Sequence, residues 1–324
     1  MRRMILVLML SAGAAAQEPQ EKPLRIGMIG LDTSHVIAFT QLLNDETRKD
    51  HVPGAKVVCA FKGGSPDVEA SHTRVEGFTK QLQEKWGIEI VGSIDELIKK
   101  VDAVFVMSVD GRPHLEQARP VFAAKKRVYI DKPLAGTYKD GREIARLSKE
   151  SGTPFFSASS YRFSESLLKT KEDPALGRIL GCETSSPASL EPHHPDLFWY
   201  GVHGVEALFT IMGAGCESVQ RVHTKDVDVV VGKWKDGRVA SFRGVRKGAS
   251  SSGVTIYGEK AVKTSIGVPG QGGYRPLVVE IVKFLKTGVP PVSSEEMIEV
   301  LAFMQAADLS KQRNGAEVKL AELD

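Results

Sequence analysis

The chain of 324 residues contains few cysteines, and this scarcity excludes one class of protein. Three cysteines, a low and odd number, do not fit a small fold that disulfides hold together. Cys59 stands in an apolar stretch typical of a buried and inert thiol. Cys182 and Cys216 are free to pair in an oxidising compartment or to remain reduced, so the sequence leaves their state open.

A surplus of charge of either sign is also missing. The chain has 43 Lys and Arg against 40 Asp and Glu. Two of those arginines, Arg2 and Arg3, lie in an N-terminal segment that we expect to be removed, which leaves the mature chain close to neutral. A nearly neutral chain argues against nucleic acid or an anionic membrane as the main partner.

Long apolar runs are absent except for a short one near the N-terminus. Met1–Arg3 is basic, Met4–Leu10 is apolar, and Ala14–Ala16 supplies the small residues of a cleavage site. This order is typical of a signal peptide, and the apolar run is too short to anchor the chain in a bilayer.

We therefore predict a signal peptide over residues 1–16 with cleavage near Ala16, followed by a polar leader over residues 17–22. The protein is expected to be exported, periplasmic or secreted, and to have no membrane anchor after cleavage. The pair Arg2-Arg3 leaves both general secretion and the twin-arginine route open.

Short apolar runs alternate with amphipathic helical segments in the first half of the chain. Helical spacing occurs over Val36–Leu43, His114–Ala124 and Lys139–Ser151. The apolar runs predict strands over Leu24–Ile29, Lys56–Phe61, Ile88–Val91, Ala103–Met107, Arg127–Ile130 and Pro154–Ser157. This alternation predicts an α/β fold with a doubly wound parallel sheet, a Rossmann domain over residues 23–158.

The turn after the first strand is where such a domain would bind the pyrophosphate of a dinucleotide. Of the glycines in the usual Gly-x-Gly-x-x-Gly pattern, only Gly30 is present, and Asp32 replaces the glycine that lets backbone approach phosphate. The residues that can compensate as caps, hydroxyl donors or a cation are Thr33, Ser34 and His35. The second strand lacks the acid that would bind a ribose diol; Lys62 there suits a 2′-phosphate or is a surface residue.

A second informative segment is Val128–Ala135, which contains Asp131-Lys132-Pro133 at the exit of a short apolar strand. Ligands of open α/β sheets bind beside the carboxyl ends of the strands, so Lys132 is delivered to that crevice. A lysine there acts as a fixed charge or, with a lowered pKa, as a proton shuttle. The alternative is a solvated surface lysine.

The second half has a different pattern. Ile179–Ser185, Val227–Trp234 and Val239–Val245 are typical of strands, and an Asp-Gly turn joins the last two as a hairpin. The predicted helices are Gly201–Met212, Pro276–Thr287 and Glu295–Gln312. We therefore predict a second α/β domain over residues 159–324.

The loop Glu191–Tyr200 combines two histidines, two carboxylates and aromatic rings. Rings that face sugar C–H groups and polar tips that bind hydroxyls suit a carbohydrate. Two alternatives stay open: a loop stiffened by proline with solvent-exposed histidines, and a metal site. The residues of that metal site would be His193 or His194, Asp196 and His203, although their spacing matches no strong ligand pattern.

From Arg25 to about Leu320 the sequence resembles the Gfo/Idh/MocA family, the group of glucose–fructose oxidoreductase and inositol dehydrogenase. The resemblance is carried by five segments in order: Val101–Val106 with His114, Asp131-Lys132-Pro133, Ser159–Phe163, Gly201–Glu206 and Pro290–Glu296. It implies an N-terminal Rossmann domain and a C-terminal α/β domain with an open, mainly antiparallel sheet that mediates oligomer contacts. It also implies a homo-oligomer, dimer or tetramer, with NAD or NADP held tightly and a sugar or polyol substrate.

The resemblance also implies roles for individual residues. Lys132 would be proton relay and electrostatic stabiliser, and His203 the acid and base. The expected cofactor contacts are Gly30, Thr33, Ser34, His35, Lys62, Ser108, His114, Asp131 and Lys132. The expected substrate contacts are Tyr161, Arg162, His193, His194, Asp196, Tyr200 and His203.

Two positions depart from the family pattern near the histidine and after the fourth strand. Trp199 stands where the family often has an aspartate, and Glu206, three residues after His203, is expected to orient its ring. Ser108 begins the segment that replaces a Thr-Pro pair, which indicates an altered cofactor site. The sequence therefore favours an exported NAD(P)-dependent oxidoreductase. A hydrolase, lyase or epimerase on this scaffold, or a carbohydrate-binding protein without cofactor, are the alternatives.

Overall fold

The computed structural model describes residues 22–267 and 273–323. The predicted signal peptide and most of the leader lie outside the described residues. The helices are α1 Ser34–Asn44, α2 Glu69–His72, α3 Val75–Trp86, α4 Ile94–Lys100, α5 His114–Ala123, α6 Tyr138–Ser151, α7 Glu165–Lys171, α8 Val202–Met212, α9 Arg275–Thr287 and α10 Ser294–Gln312. The strands are β1 Leu24–Ile29, β2 Ala55–Phe61, β3 Glu89–Val91, β4 Ala103–Val106, β5 Arg127–Ile130, β6 Phe155–Phe156, β7 Ile179–Pro187, β8 Cys216–His223, β9 Val227–Trp234, β10 Val239–Val245, β11 Gly253–Gly258, β12 Val262–Ile266 and β13 Val318–Lys319.

The first sheet has six strands in the order β3-β2-β1-β4-β5-β6, and every pairing is parallel. β4 is buried along its whole length, as expected for an apolar strand covered on both faces. The order places β1 between β2 and β4, so the carboxyl end of β1 lies at the centre of the sheet edge. The predicted doubly wound Rossmann sheet is confirmed.

The second sheet has seven strands in the order β12-β11-β7-β10-β9-β8-β13. All neighbours are antiparallel except β7 and β10, which run parallel. The predicted mainly antiparallel sheet is confirmed, and its hairpin β9–β10 was predicted with the observed bounds. Strands β8, β11, β12 and β13 were not predicted. β8 shows why: its Arg221 is fully buried and its Val222 is exposed, which interrupts the apolar signal of a strand.

Helix α8 packs closely on the second sheet. All of its residues are buried. A Cβ at Gly204 would lie 2.2 Å from the ring of Phe242 in β10, so the helix can approach the sheet this closely only with glycine there. The close packing fixes the position of the neighbouring His203.

Helix α9 packs on the first sheet although it follows the second sheet in sequence. Phe284 of α9 contacts Phe156 of β6 with ring centroids 5.9 Å apart, and Arg127 of β5 donates a 2.8 Å hydrogen bond to the carbonyl of Lys286. Helix α10 contacts both α6 and β8. The two sheets are thereby joined through helices from the end of the chain.

All three cysteines lie within the described residues and are free and buried. Burial raises the pKa of Cys59 to about 11 and the pKa values of Cys182 and Cys216 to about 12, so these thiols stay protonated and unreactive at neutral pH. Across residues 22–267 and 273–323, no helix has the length and apolar character needed to cross a membrane.

Candidate active site

A cavity of about 530 Å³ lies where the carboxyl edge of the first sheet meets α8. It is lined by Thr33, Ser34, His35, Ala70, Arg74, Val109, Lys132, Ser160, Tyr161, Trp199, Tyr200, His203, Gly273 and Tyr274. Among these described residues there are hydroxyls, rings and cations but neither Asp nor Glu. The cavity brings together seven of the predicted site residues: Thr33, Ser34, His35, Lys132, Tyr161, Tyr200 and His203.

Lys132 enters the cavity from the end of β5. Lys132 is 9% exposed, and its Nζ lies 5.5 Å from the ring centroid of Tyr200. Burial lowers the pKa of Lys132, because an ammonium group loses its hydration there, although Asp131 partly opposes the shift. The amine is therefore more readily deprotonated than a solvated lysine, which is what a proton relay requires.

Asp131 lies beneath the cavity and holds two neighbours in place. Its Oδ2 lies 2.6 Å from Nδ1 of His35, and its Oδ1 accepts hydrogen bonds from the hydroxyl of Tyr129 and the backbone N–H of Lys132. Burial alone would raise the pKa of Asp131, yet His35 and Lys132 lower it. Asp131 therefore positions its neighbours from inside the protein, and its predicted cofactor contact stays a prediction.

His203 lies in the first turn of α8, just after one π-helical turn over Leu197–Gly201. Its Nδ1 lies 2.7 Å from the hydroxyl oxygen of Ser159, and its ring stacks on Tyr161 with centroids 4.9 Å apart. Burial lowers the pKa of His203 well below its usual value, and the nearby Lys132 lowers it further. The imidazole is therefore neutral at pH 7 with Nδ1 engaged, which leaves Nε2 for the cavity.

The expected orientation of His203 by Glu206 is wrong. Glu206 accepts a 2.6 Å hydrogen bond from Nε of Arg162, and Arg162 also pairs with Glu296 of α10. Arg162 is consequently a buried structural cation that ties the segment after β6 to α8 and α10. The predicted substrate contact of Arg162 stays a prediction: the two carboxylates engage its Nε and Nη1, and Arg162 does not line the cavity.

The loop before the π-helical turn also differs from its predicted substrate role. His193 lies 3.0 Å from Glu191 at the surface, and His194 is buried, where its Nε2 accepts a 3.3 Å hydrogen bond from the backbone of Gly111. Asp196 accepts hydrogen bonds from Arg221 at 3.0 Å and from Lys311 at 2.6 Å.

Neither the two histidines nor the aspartate of this loop lines the cavity. Each has a different protein partner, so the loop does not present the ligand set considered for a metal. In the part of the chain that the structure describes, no three His, Cys, Asp or Glu side chains gather in a group that could hold a metal ion.

The remaining predicted cofactor contacts lie outside the cavity lining. Lys62 pairs with Glu76 of α3 at the surface. The Ser108 hydroxyl donates to Gln117, and fully buried His114 spans the carbonyls of Ser108 and Pro133, each 2.9 Å from a ring nitrogen. His114 thereby connects the segments that follow β4 and β5.

Seven of the lining residues were not predicted as site residues, and two of them carry new chemistry: Arg74, just before α3, and Tyr274, just before α9. Tyr274 contacts the ring of His35 with centroids 4.6 Å apart. Neither position belongs to a motif, and Tyr274 comes from a segment more than two hundred residues after the turn it contacts. Only the packing of α9 on the first sheet brings it there.

The turn after β1 decides whether the expected nicotinamide nucleotide fits. Gly30 has φ 85°, and a Cβ there would lie 2.2 Å from the hydroxyl of Ser108. Thr33 and Ser34 at the N-terminus of α1 line the cavity together with Lys132. Hydroxyls, helix N–H groups and a cation suit a diphosphate, so these residues fit the diphosphate and nicotinamide end of the cofactor.

Asp32, at the position of the missing glycine, is fully buried. Its Oδ1 accepts a 2.8 Å hydrogen bond from the backbone of Val109, and its Oδ2 accepts one of 2.6 Å from the hydroxyl of Ser71. Ser71 also accepts from the backbone of Ser65 at 2.7 Å. Residues 65–74 therefore cover this turn on the β2 side, where the adenosine half of a dinucleotide lies in Rossmann domains.

Replacing Ser71 with alanine is expected to loosen this covering segment. The change leaves a buried oxygen of Asp32 and the N–H of Ser65 without their partner, which costs about 1–3 kcal/mol. Amide hydrogen exchange across residues 65–74 should accelerate accordingly, and urea unfolding should report the loss of stability.

Thr73 provides the matched control for Ser71. It is exposed, and its hydroxyl donates to the carbonyl of Glu69 within the same segment. Thr73→Ala should change the free energy of unfolding by no more than about 0.5 kcal/mol. Equal exchange rates in the two variants would show that Asp32 and Ser71 do not hold the segment closed.

Residues 24–159 match the model of the Gfo/Idh/MocA family, described as an oxidoreductase family with an NAD-binding Rossmann fold. An uncharacterized oxidoreductase of Streptococcus pneumoniae is 26% identical over 158 residues, which cover 43% of this chain and 42% of that protein. The chain thus spans less than half the length of this curated relative.

Solved structures resemble the chain over nearly its whole length. A probable dehydrogenase from Thermotoga maritima has 22% identity and a TM-score of 0.74, covering 93% of this chain and 100% of that one. The scyllo-inositol dehydrogenase of Lactobacillus casei, with bound NAD(H) and scyllo-inositol, has 14% identity and a TM-score of 0.76 with the same coverage. At these identities the likeness establishes the two-domain fold.

Proposed function

We propose that this chain, whose resemblance to the Gfo/Idh/MocA oxidoreductases is confirmed, is an NAD(P)-dependent oxidoreductase that acts on a hydroxyl group of a sugar, glycoside or polyol. The observation that carries the proposal is the pairing of Lys132 and His203 in one cavity. Burial keeps His203 neutral, so it can accept the proton of a hydroxyl placed between the two groups, while Lys132 donates a hydrogen bond to the oxygen of that hydroxyl.

The rest of the lining supports a polyhydroxylated substrate. Tyr161, Tyr200 and Tyr274 present rings that can cover the C–H face of a sugar, as can Trp199. The hydroxyl of Ser160 adds a group that can both donate and accept hydrogen bonds. Apolar walls with a few polar groups are the usual composition of a small-molecule site.

The residues divide the work of oxidation between them. A bound nicotinamide would supply the acceptor for the hydride that leaves the carbon bearing the hydroxyl. His203 accepts the hydroxyl proton at Nε2, while Ser159 at Nδ1 holds the ring in position. Lys132 donates a hydrogen bond to the same oxygen, which stabilises the negative charge that develops as the proton leaves. Tyr200 beneath the amine and Asp131 behind it fix the direction of Lys132.

The test uses the full chain expressed with its leader. One sample of the purified protein is denatured, and its supernatant is analysed by mass spectrometry for nicotinamide nucleotides. A second, folded sample is supplied with NAD or NADP and assayed at 340 nm with sugars and polyols. We expect bound or titratable NAD(P) and reduction of the nucleotide. A deuterium label at the reacting carbon should slow the reaction if hydride transfer limits the rate.

An opposite result would favour the alternatives. Absence of nucleotide together with absence of binding on titration would indicate a hydrolase, lyase or epimerase, or a carbohydrate-binding protein. Product formation from a glycoside without nucleotide reduction would separate the first of these from the second.

Export and assembly are part of the same proposal. The predicted signal peptide over residues 1–16 implies an exported protein, and the second sheet is the proposed contact of a dimer or tetramer. The intact mass of the purified chain reports whether cleavage occurs near Ala16, and its native mass reports the number of subunits. An uncleaved chain retained in the cytoplasm, or a monomer, would contradict these proposals.

A further inference from the structure

The cavity has an excess of positive charge. The cations Lys132 and Arg74 both line it. The described residues of the lining include no carboxylate, and the nearest one behind it, Asp131, is already shared with His35. A neutral ligand would leave two cations beside each other without a counter-charge.

Arg74 is the less expected of the two cations. It lies just before α3, half-buried, and its Nε donates to the carbonyl of Ala70 in the same segment. No other hydrogen bond or ion pair is made by its guanidinium within residues 22–267 and 273–323, so its terminal nitrogens are available to a ligand. This contrasts with Arg162 and Arg221, whose guanidinium groups are occupied by buried carboxylates.

Arg74 and Lys132 line the same cavity of about 530 Å³, so one ligand can contact both of them. The charge of Arg74 adds to the lowering of the pKa of Lys132. An arginine offers a planar fork of donors that matches a carboxylate at two points, whereas a lysine is a point charge. The two therefore suit different parts of one molecule.

We propose that the substrate carries an acidic group, a carboxylate on a sugar or polyol, which Arg74 binds while Lys132 and His203 hold the reacting hydroxyl. This assignment rests on the proposed function and specifies its substrate class. The carboxylate supplies the counter-charge that the lining lacks, and its bidentate contact fixes which hydroxyl reaches Lys132. Arg74 is thus a specificity-determining residue.

An oxyanion at Arg74 has a second source, the diphosphate of the cofactor. The two sources predict different losses in an Arg74 variant. If Arg74 binds the substrate, its removal lowers the affinity for acidic sugars and leaves the affinity for the nucleotide unchanged. If Arg74 binds the diphosphate, its removal lowers the affinity for NAD(H) and NADP(H) whichever substrate is present.

The experiment measures binding by calorimetry, in the protein with and without nucleotide, for matched acidic and neutral compounds. The pairs are D-glucuronate with D-glucose, D-galacturonate with D-galactose, and D-gluconate with D-glucitol. In the unmodified protein at least one acid should bind about 10- to 100-fold more tightly than its neutral partner. Arg74→Met, which keeps an apolar stem of similar length, should abolish that preference without changing the affinity for nucleotide.

Two further variants make the result specific. Arg74→Lys keeps the charge without the fork and should retain part of the preference. Arg48→Met removes an exposed arginine that pairs with Asp50 and should leave every affinity unchanged. Circular dichroism of each variant confirms the fold.

Several outcomes would overturn the assignment. These are equal affinity for the acid and neutral members of all three pairs, an unchanged preference in Arg74→Met, or a loss confined to nucleotide affinity. Failure of the proposed oxidation is distinguishable, because a preference for acids that depends on Arg74 in the nucleotide-free protein would persist without any reduction of NAD(P).

Discussion

Replacing Lys132 with methionine is expected to lower turnover by about 10²- to 10⁴-fold while the fold stays intact, since that is the usual contribution of a positioned proton-transfer group. Methionine has a similar length and no charge, so it fills the space without a desolvated cation. The buried carboxylate of Asp131 keeps its contacts with His35, Tyr129 and the backbone N–H of residue 132. The loss should therefore appear in kcat and leave thermal unfolding nearly unchanged.

The pH profile gives an independent readout of the same role. A lysine that donates a hydrogen bond to the developing oxyanion acts in its charged form, which is lost above its pKa. Burial lowers that pKa from the usual lysine value of 10.5, so the falling limb of kcat against pH should lie below pH 10.5. This limb should disappear in Lys132→Met if the lysine is the titrating group.

The control for Lys132 is Lys80, an exposed lysine of α3 that pairs loosely with Glu84. Lys80→Met should leave kcat, the pH profile and stability unchanged. Equal turnover in Lys132→Met and the unmodified protein would remove Lys132 from the proposed mechanism.

Replacing Arg221 with methionine is expected to destabilise the protein by about 3–5 kcal/mol, the range for breaking a buried ion pair. Arg221 is fully buried in β8, where it donates to Asp228 at 2.9 Å, to Asp308 at 2.6 Å and to Asp196 at 3.0 Å. Its removal leaves buried carboxylates without their main counter-charge. Urea unfolding measures the loss.

The penalty of the Arg221 substitution should depend on pH. Burial raises the pKa of Asp308 to about 7, while Arg221 opposes that rise. Because a raised carboxyl pKa means that the folded state binds the extra proton, this group weakens the folded state as pH rises from about 4 to 7. Without Arg221 the pKa values of the carboxylates rise further, so the cost of Arg221→Met should be greater at pH 8 than at pH 5.

The Arg221 substitution should also affect substrate binding in the cavity. Asp196 immediately precedes the π-helical turn that carries Trp199 and Tyr200 into the cavity, and Arg221 holds Asp196. We expect weaker substrate binding in Arg221→Met at temperatures where the protein remains folded. Arg313→Met, which removes an exposed partner of Glu322, is the control and should cost no more than about 1 kcal/mol. A similar free-energy change in both variants would contradict the structural role of Arg221.

Several elements could be predicted from local sequence because their signals are local. The bounds of β1 and β5 match the predicted strands, and α10 begins one residue before the predicted helix. These segments carry regular apolar periodicity, and burial of that periodicity is what stabilises them. Lys132 and His203 could be placed by the same means, since each follows a recognisable strand or helix and stands in a motif.

The partners of buried charges could not be predicted in this way. Glu206 is one helical turn from His203, yet it pairs with Arg162, which is 44 residues away and donates two hydrogen bonds to two acids. Asp196 stands in a loop with the composition of a sugar site, yet it accepts hydrogen bonds from Arg221 and Lys311. A buried charge pairs with whichever opposite charge the packing brings within reach, and closeness in sequence does not determine that partner.

The sequence by itself determined the two-sheet architecture, the family resemblance and the delivery of Lys132 and His203 to a common edge. These depend on periodicity and on short motifs, which the chain carries locally. Only the tertiary structure decided that Arg74 and Tyr274 join them, that Asp32 is buried against Ser71, and that the cavity holds cations without an acid. Those features arise where segments distant in the chain meet, and the charge of a cavity is the sum over all of its walls.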